Sequence, residues 1–128
     1  YIWTSKLERV SIIRKGIPYE SIEGISKRIN LPIKEVLYLF GLPQTTYNKK
    51  RREKSLLNGR DSEIVLLLTE LVDFGIEVFN NEEDKFQRWL KKPNYALGGY
   101  TPESLLDSTT GIQEVKNCLN RLEHGSFA

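Results

Sequence analysis

Apolar residues recur at intervals of three and four along most of the chain, and this spacing predicts helices rather than strands. Leu7, Val10, Ile13 and Ile17 form one such stripe, in a first helix that should end near Gly16 and Pro18. Ile22, Ile25 and Ile29 form a second. The segments "NLP" (Asn30 to Pro32) and "GLP" (Gly41 to Pro43) then break the pattern and isolate a short, strongly apolar third helix, "IKEVLYLF". Proline lacks the N–H that a first helical turn leaves unpaired, so Pro32 and Pro43 both read as helix starts.

A fourth helix follows, carrying "TTYNKKRREK" (Thr45 to Lys54). Past a loop around Asn58 and Gly59, Asp61 is placed to cap a long helix over about residues 62–79, whose apolar side chains cover more than one face. That helix is expected at the centre of the core. Asn80 and Glu83 have capping-box spacing for a helix ending at "RWLKK". "PNYALGGY" (Pro93 to Tyr100) reads as a loop in which Gly98 and Gly99 make a tight turn that positions Tyr95 and Tyr100. Thr101 and Pro102 resemble the cap and first position of another short helix. A last helix should start at Thr110, carry Ile112, Val115, Leu119 and Leu122 on one stripe, and stop at Gly125. No run alternates with a period of two, so the expected class is all-α, with an N-terminal helix-turn-helix bundle followed by a small helical domain.

Composition narrows the picture. With 128 residues, 39 % hydrophobic and 28 % charged, the chain can build one core and is neither disordered nor a membrane span. The longest apolar run, Ile64 to Leu68, is followed by Glu70, Asp73 and Glu77, which excludes a membrane helix. A lone Cys118 fits the reducing cytoplasm and reads as a small buried hydrophobe. Because the chain has no methionine, its start is expected upstream of Tyr1.

The net charge of +2 hides a division. Residues 1–60 carry 13 Lys and Arg against 5 Asp and Glu, a surplus of +8; residues 61–128 carry 6 against 12, or −6. A basic half suits a polyanion, while an acidic half is free for another partner. On a helical wheel with Tyr47 turned to the core, the opposite side of the fourth helix holds Thr45, Thr46, Asn48, Lys49 and Arg52, with Gln44 exposed at its N-terminal end. Lysine and arginine neutralise phosphates, and Gln, Asn and Thr match the donors and acceptors of base edges. Together with the short third helix and the turn at Gly41, this is helix-turn-helix spacing, so double-stranded DNA is the expected partner. Leu37 departs from the motif, which usually has a small residue four positions before the turn glycine.

Other chemistry is sparse. His124 has no Cys, Ser or second His arranged around it, and its expected role, with Arg121, is to meet the last carbonyls of a helix. Trp89 reads as a core anchor. Glu82, Glu83 and Asp84 suit a first helical turn, where the dipole favours negative charge, and they lack companions for a metal. No catalytic residue, cofactor site or metal site is expected.

The segment "RWLKKPNYALGGYTPESLLDSTTGIQEVKNCLNRLEHGSFA" (Arg88 to Ala128) resembles the C-terminal toxin-binding domain of Xre/MbcA/ParS-type antitoxins. "RWL", "P-N-x-A-L-G-G-x-T-P-x-x-L-L" and "R-L-E-H-G-x-x-A" follow one another at that family's spacing. "IRKGIPYESIEGISKRINLPIKEVLYLFGLPQTTYNKKRRE" looks like the Xre-like helix-turn-helix that precedes it, so the likeness covers about residues 12–128. The resemblance implies a non-enzymatic antitoxin of a type II toxin–antitoxin pair. Its partner would be a RES-domain toxin that consumes NAD⁺. It also implies a homodimer that represses its own operon through residues 1–60 and meets the toxin through residues 61–128. By that analogy Arg121, Glu123, His124, Gly125, Ser126, Phe127 and Ala128 lie nearest the toxin. The alternative is a stand-alone helix-turn-helix regulator whose C-terminal domain only dimerises.

Overall fold

The computed structural model describes residues 5–125, and every regular element among them is helical. The order is α1 (Lys6–Lys15), α2 (Ser21–Ile29), α3 (Ile33–Phe40), α4 (Gln44–Arg52), α5 (Gly59–Val78), α6 (Glu83–Leu90) and α7 (Thr109–Glu123). Two short 3-10 turns, Tyr95–Leu97 and Pro102–Leu105, lie between α6 and α7. The segment expected to be a plain loop therefore contains one of these turns.

The long helix α5 is the central element, as its many-sided apolar pattern predicts. Val65, Leu66, Leu68, Leu71 and Val72 are buried, and α5 packs against α1, α2, α6 and α7. On α2 the buried residues are Ile22, Ile25 and Ile29; on α7 they are Ile112, Val115, Cys118 and Leu119, with Leu122 half-buried. Trp89 packs against the core beside Phe86 and Phe79, with ring centroids 6.3 and 6.1 Å away.

The first helix departs from expectation. It buries no residue: Leu7 is 83 % and Val10 40 % exposed, and contact with the core is made by half-buried Ile12 and Ile13. Ile17 is fully buried but lies beyond the helix, which ends at Lys15 because Gly16 adopts φ 95°. There the backbone pairs with the segment after α4. Leu57 N–H donates to the Ile17 carbonyl (2.7 Å) and Tyr19 N–H to that of Ser55 (3.3 Å), forming an isolated antiparallel bridge.

Helix starts also shift. Asn58, not Asp61, caps α5, its side chain accepting the Asp61 N–H at 2.8 Å; Asp61 falls in the first turn, where burial pushes its carboxyl up against the opposing pull of Arg60. Asn80 does not cap α6: it and Asn81 take left-handed φ of 58° and 65°, their N–H groups close the end of α5 on the Glu77 and Ile76 carbonyls, and α6 starts after Glu82. Ser108 caps α7 in place of Thr110, accepting the Gly111 N–H at 3.0 Å. Pro32 and Pro43 stand just before the first helical residue rather than within the first turn, whereas Pro102 does open its short helix.

Ser62, a fully buried polar residue, ties the N-terminal segments to α5. Its hydroxyl accepts the Ile17 N–H at 3.0 Å and donates to the Leu57 carbonyl at 3.3 Å. Ser62→Ala leaves the buried Ile17 N–H without its acceptor, so we expect a loss of about 2 kcal/mol in urea unfolding.

Candidate functional site

The position of α4 is set by the turn before it. Gly41, left-handed at φ 65°, lets its own N–H donate to the Tyr38 carbonyl and the Leu42 N–H donate to the Leu37 carbonyl, each at 3.0 Å. These bonds satisfy the last carbonyls of α3 and turn the chain within three residues. Leu37 is itself buried. Pro43, extended at ψ 144°, then starts α4.

One face of α4 holds it to the bundle. Tyr47 is only 3 % exposed, and burial pushes its phenol up while Arg51 pulls it down. One turn on, Arg51 reaches Glu23 of α2 at 2.9 Å. Arg51 is therefore an anchor, a role that the helical pattern assigns to Tyr47 alone.

The other face is polar. Gln44, Thr45, Asn48, Lys49 and Arg52 are exposed and Thr46 is half-buried. Gln44 Nε2 donates to Asn48 Oδ1 at 3.1 Å, linking two amides across one turn. Lys49 and Arg52 enter no ion pair among the described residues. Five of the six residues singled out on the wheel are thus exposed, and two of them are cations that no carboxylate among the described residues neutralises. Such a surface can place positive charge against phosphates while amides and hydroxyls face base edges.

A second surface lies at the far end of the chain. Asn94 organises the Pro93–Tyr100 segment: its side-chain oxygen accepts the Ala96 N–H (3.0 Å), its carbonyl accepts from Leu97 (3.0 Å) and Gly99 (2.9 Å), and its N–H donates to the Tyr100 carbonyl (3.0 Å). Gly98 and Gly99 adopt φ of 70° and 86°, which lets this closed turn form. The result presents Tyr95, 94 % exposed, and Tyr100, 61 % exposed, to solvent.

In the last turn of α7, Arg121 is half-buried, with its Nε enclosed and without a hydrogen-bond partner. Glu123, His124 and Gly125 are exposed. Among the described residues neither Arg121 nor His124 bonds the last carbonyls through its side chain; backbone N–H groups of His124 and Gly125 do so instead, to Asn120 (3.2 Å) and Leu122 (3.1 Å). Ser126, Phe127 and Ala128 lie outside the described residues.

Beside α5, α6 also ties the two halves together. Gln87 Nε2 donates to the Arg28 carbonyl at 3.0 Å, and Lys91 Nζ to those of Ile29 and Asn30 at 3.2 and 3.0 Å, so side chains one turn apart cap the end of α2. Among the described residues no group of His, Cys, Asp and Glu could hold a metal ion, and no helix is long and apolar enough to cross a membrane.

Residues 8–70 match the antitoxin Xre-like helix-turn-helix domain family, and residues 75–125 match the antitoxin Xre/MbcA/ParS C-terminal toxin-binding domain family. A protein of Sphingobium sp. named Prs ADP-ribosylating antitoxin is 30 % identical over 97 % of this chain and 83 % of its own length. The chain belongs to the Xre type of antitoxins. This antitoxin is also similar to Antitoxin Xre of Photorhabdus laumondii, 28 % identical over 90 % of this chain and 78 % of that protein. With Antitoxin Xre of Yersinia enterocolitica it shares 29 % identity over 93 % of this chain and 80 % of that one. In the antitoxin's fold α3 and α4 lie within the helix-turn-helix match, and the tyrosine turn and α7 lie within the toxin-binding match.

Proposed function

We propose that this antitoxin is a cytoplasmic, non-enzymatic homodimer that neutralises a RES-domain, NAD⁺-consuming toxin and represses its own operon. Residues 1–60 are the DNA-binding region, with Gln44, Thr45, Thr46, Asn48, Lys49 and Arg52 facing double-stranded DNA. Residues 61–128 are the toxin-binding part, with Arg121, Glu123, His124, Gly125 and the tail Ser126, Phe127 and Ala128 nearest the toxin. The observation that carries the DNA reading is the outward, unpaired placement of Lys49 and Arg52 beside the Gln44–Asn48 amide pair. The toxin reading is supported by the family match over residues 75–125. The name of the Sphingobium relative speaks of ADP-ribosylation, a reaction that draws its ADP-ribose from NAD⁺.

Co-expression tests this reading. A RES-domain protein encoded beside this chain should arrest growth and deplete NAD⁺ when expressed alone, and this chain should restore growth and co-purify with it. If growth stays arrested and the two proteins separate, the neutralising role is lost. Truncation after Gly125 should leave operator binding unchanged while lowering neutralisation. Full rescue by the shortened chain would remove Ser126, Phe127 and Ala128 from the interface.

A further inference from the structure

The core of the bundle leaves a trough between α3 and the Pro102–Leu105 turn, with a volume of about 660 Å³. Leu37, Leu39, Leu42 and the outer ring of Tyr38, which is 80 % exposed, supply its apolar lining. Its charged residues are Glu35, Glu103 and Asp107 against Lys34. Glu103 lies 3.7 Å from Lys91, which offsets its charge, so the trough's remaining negative charge rests on Glu35 and Asp107 against the one cation of Lys34. Both are exposed and enter no ion pair among the described residues. An occupant suited to this surface is an amphipathic helix that pairs aliphatic side chains with positive charge.

The chain carries such a helix: α1 packs on α5 through Ile12 and Ile13 and leaves its outer side uncovered. In α1, Leu7 and Val10 point to solvent three residues apart, and Lys6 and Arg14, four residues to either side of Val10, lie on the same side. Arg9, on the inner side, is bound to Glu70 at 2.7 Å, whereas Lys6 and Arg14 enter no ion pair among the described residues. An exposed aliphatic pair framed by cations thus answers an apolar trough of negative charge.

We infer that α1 of a second copy of this chain docks in the trough between α3 and the Pro102–Leu105 turn, the two copies exchanging helices about a twofold axis. Two different patches meet, so reciprocal exchange is what closes the contact into a dimer rather than an open chain. The inference rests on the homodimer proposed above and names its interface. Gln44, the first residue of α4, also lines the trough, so the docked helix would lie beside the start of the candidate DNA-reading helix.

Charge exchange tests the contact with the full chain. One variant carries Lys6→Glu with Arg14→Glu; the other carries Glu35→Lys with Asp107→Lys. All four positions are exposed, so far-UV circular dichroism should remain that of the parent. Each variant alone would set like charges against each other at both copies of the interface. In sedimentation equilibrium its dimer dissociation constant should rise by about 100-fold or more. An equimolar mixture should restore a dimer within about tenfold of the parent, because each acidic helix then meets a basic trough and each basic helix an acidic one. Parent-like dimers from either variant alone, or a mixture that stays monomeric, would overturn the inference and leave the homodimer intact. A parent chain that is monomeric at every concentration overturns both. If the trough variant still dimerises but no longer co-purifies with the toxin, the trough belongs to the toxin and the inference fails.

Discussion

Replacing Lys49 and Arg52 together with alanine should lower operator affinity by on the order of 100-fold at low salt for each copy of the chain bound. Two charge-assisted phosphate contacts at about 1.5 kcal/mol each combine to that size. The salt dependence is the sharper readout. Each cation that neutralises a phosphate releases counterions, so the slope of log K against log salt should become shallower by about two units for each copy of the chain on the operator. Arg51→Ala provides the contrast. Its guanidinium is committed to Glu23 at 2.9 Å, so its loss should loosen α4 against α2 and leave the slope nearly unchanged. Asn48→Ala should act differently again. It removes the acceptor for Gln44 and, on the proposed contact, an amide that faces the bases, which should relax preference at a base position by about 1–3 kcal/mol without changing the slope. A double variant with the parent's slope would exclude this face of α4 as the phosphate contact.

That the amino-acid pattern alone marks such a face has a simple cause. In α4 a single aromatic among polar residues leaves one way to orient the helix, and Tyr47 is indeed buried. The stripe of α2 and the many-sided pattern of α5 are legible for the same reason. In α1 the rule fails, because periodicity locates an apolar face without saying what covers it, and Leu7 and Val10 face solvent. Caps are legible only as sets of candidates. Asn58 and Asp61 can both accept a backbone N–H, and the choice depends on how Leu57 and Ile17 pair beforehand, a contact 40 residues apart in the chain. Two further features carry no local signal. Arg51 becomes an anchor only because α2 brings Glu23 to it, and the trough exists only where α3 meets a turn more than 60 residues downstream.

Gly75→Ala should destabilise the whole bundle, although alanine is the better helix former by about 1 kcal/mol. Gly75 is buried in α5, and a Cβ there would run into the Phe86 ring of α6. That ring has no free side to move into. It is fully buried and flanked by Phe79 and Trp89, at centroid distances of 6.1 and 6.3 Å. Overpacking of this kind costs about 3 kcal/mol, so the net loss should be about 2 kcal/mol after the gain in propensity. For a domain of this size that corresponds to a fall in Tm of about 8 °C. The cause can be separated from a loss of backbone flexibility by a size exchange. Phe86→Leu alone opens a cavity and should also destabilise, but combined with Gly75→Ala the smaller side chain makes room for the new methyl. The double variant should then be more stable than the two separate losses predict, by at least about 1 kcal/mol. Strict additivity would mean that the methyl and the ring do not meet. Because α6 also caps α2 through Gln87 and Lys91, the strain in Gly75→Ala should reach both halves. Operator binding and toxin capture should therefore fail at one temperature rather than in succession.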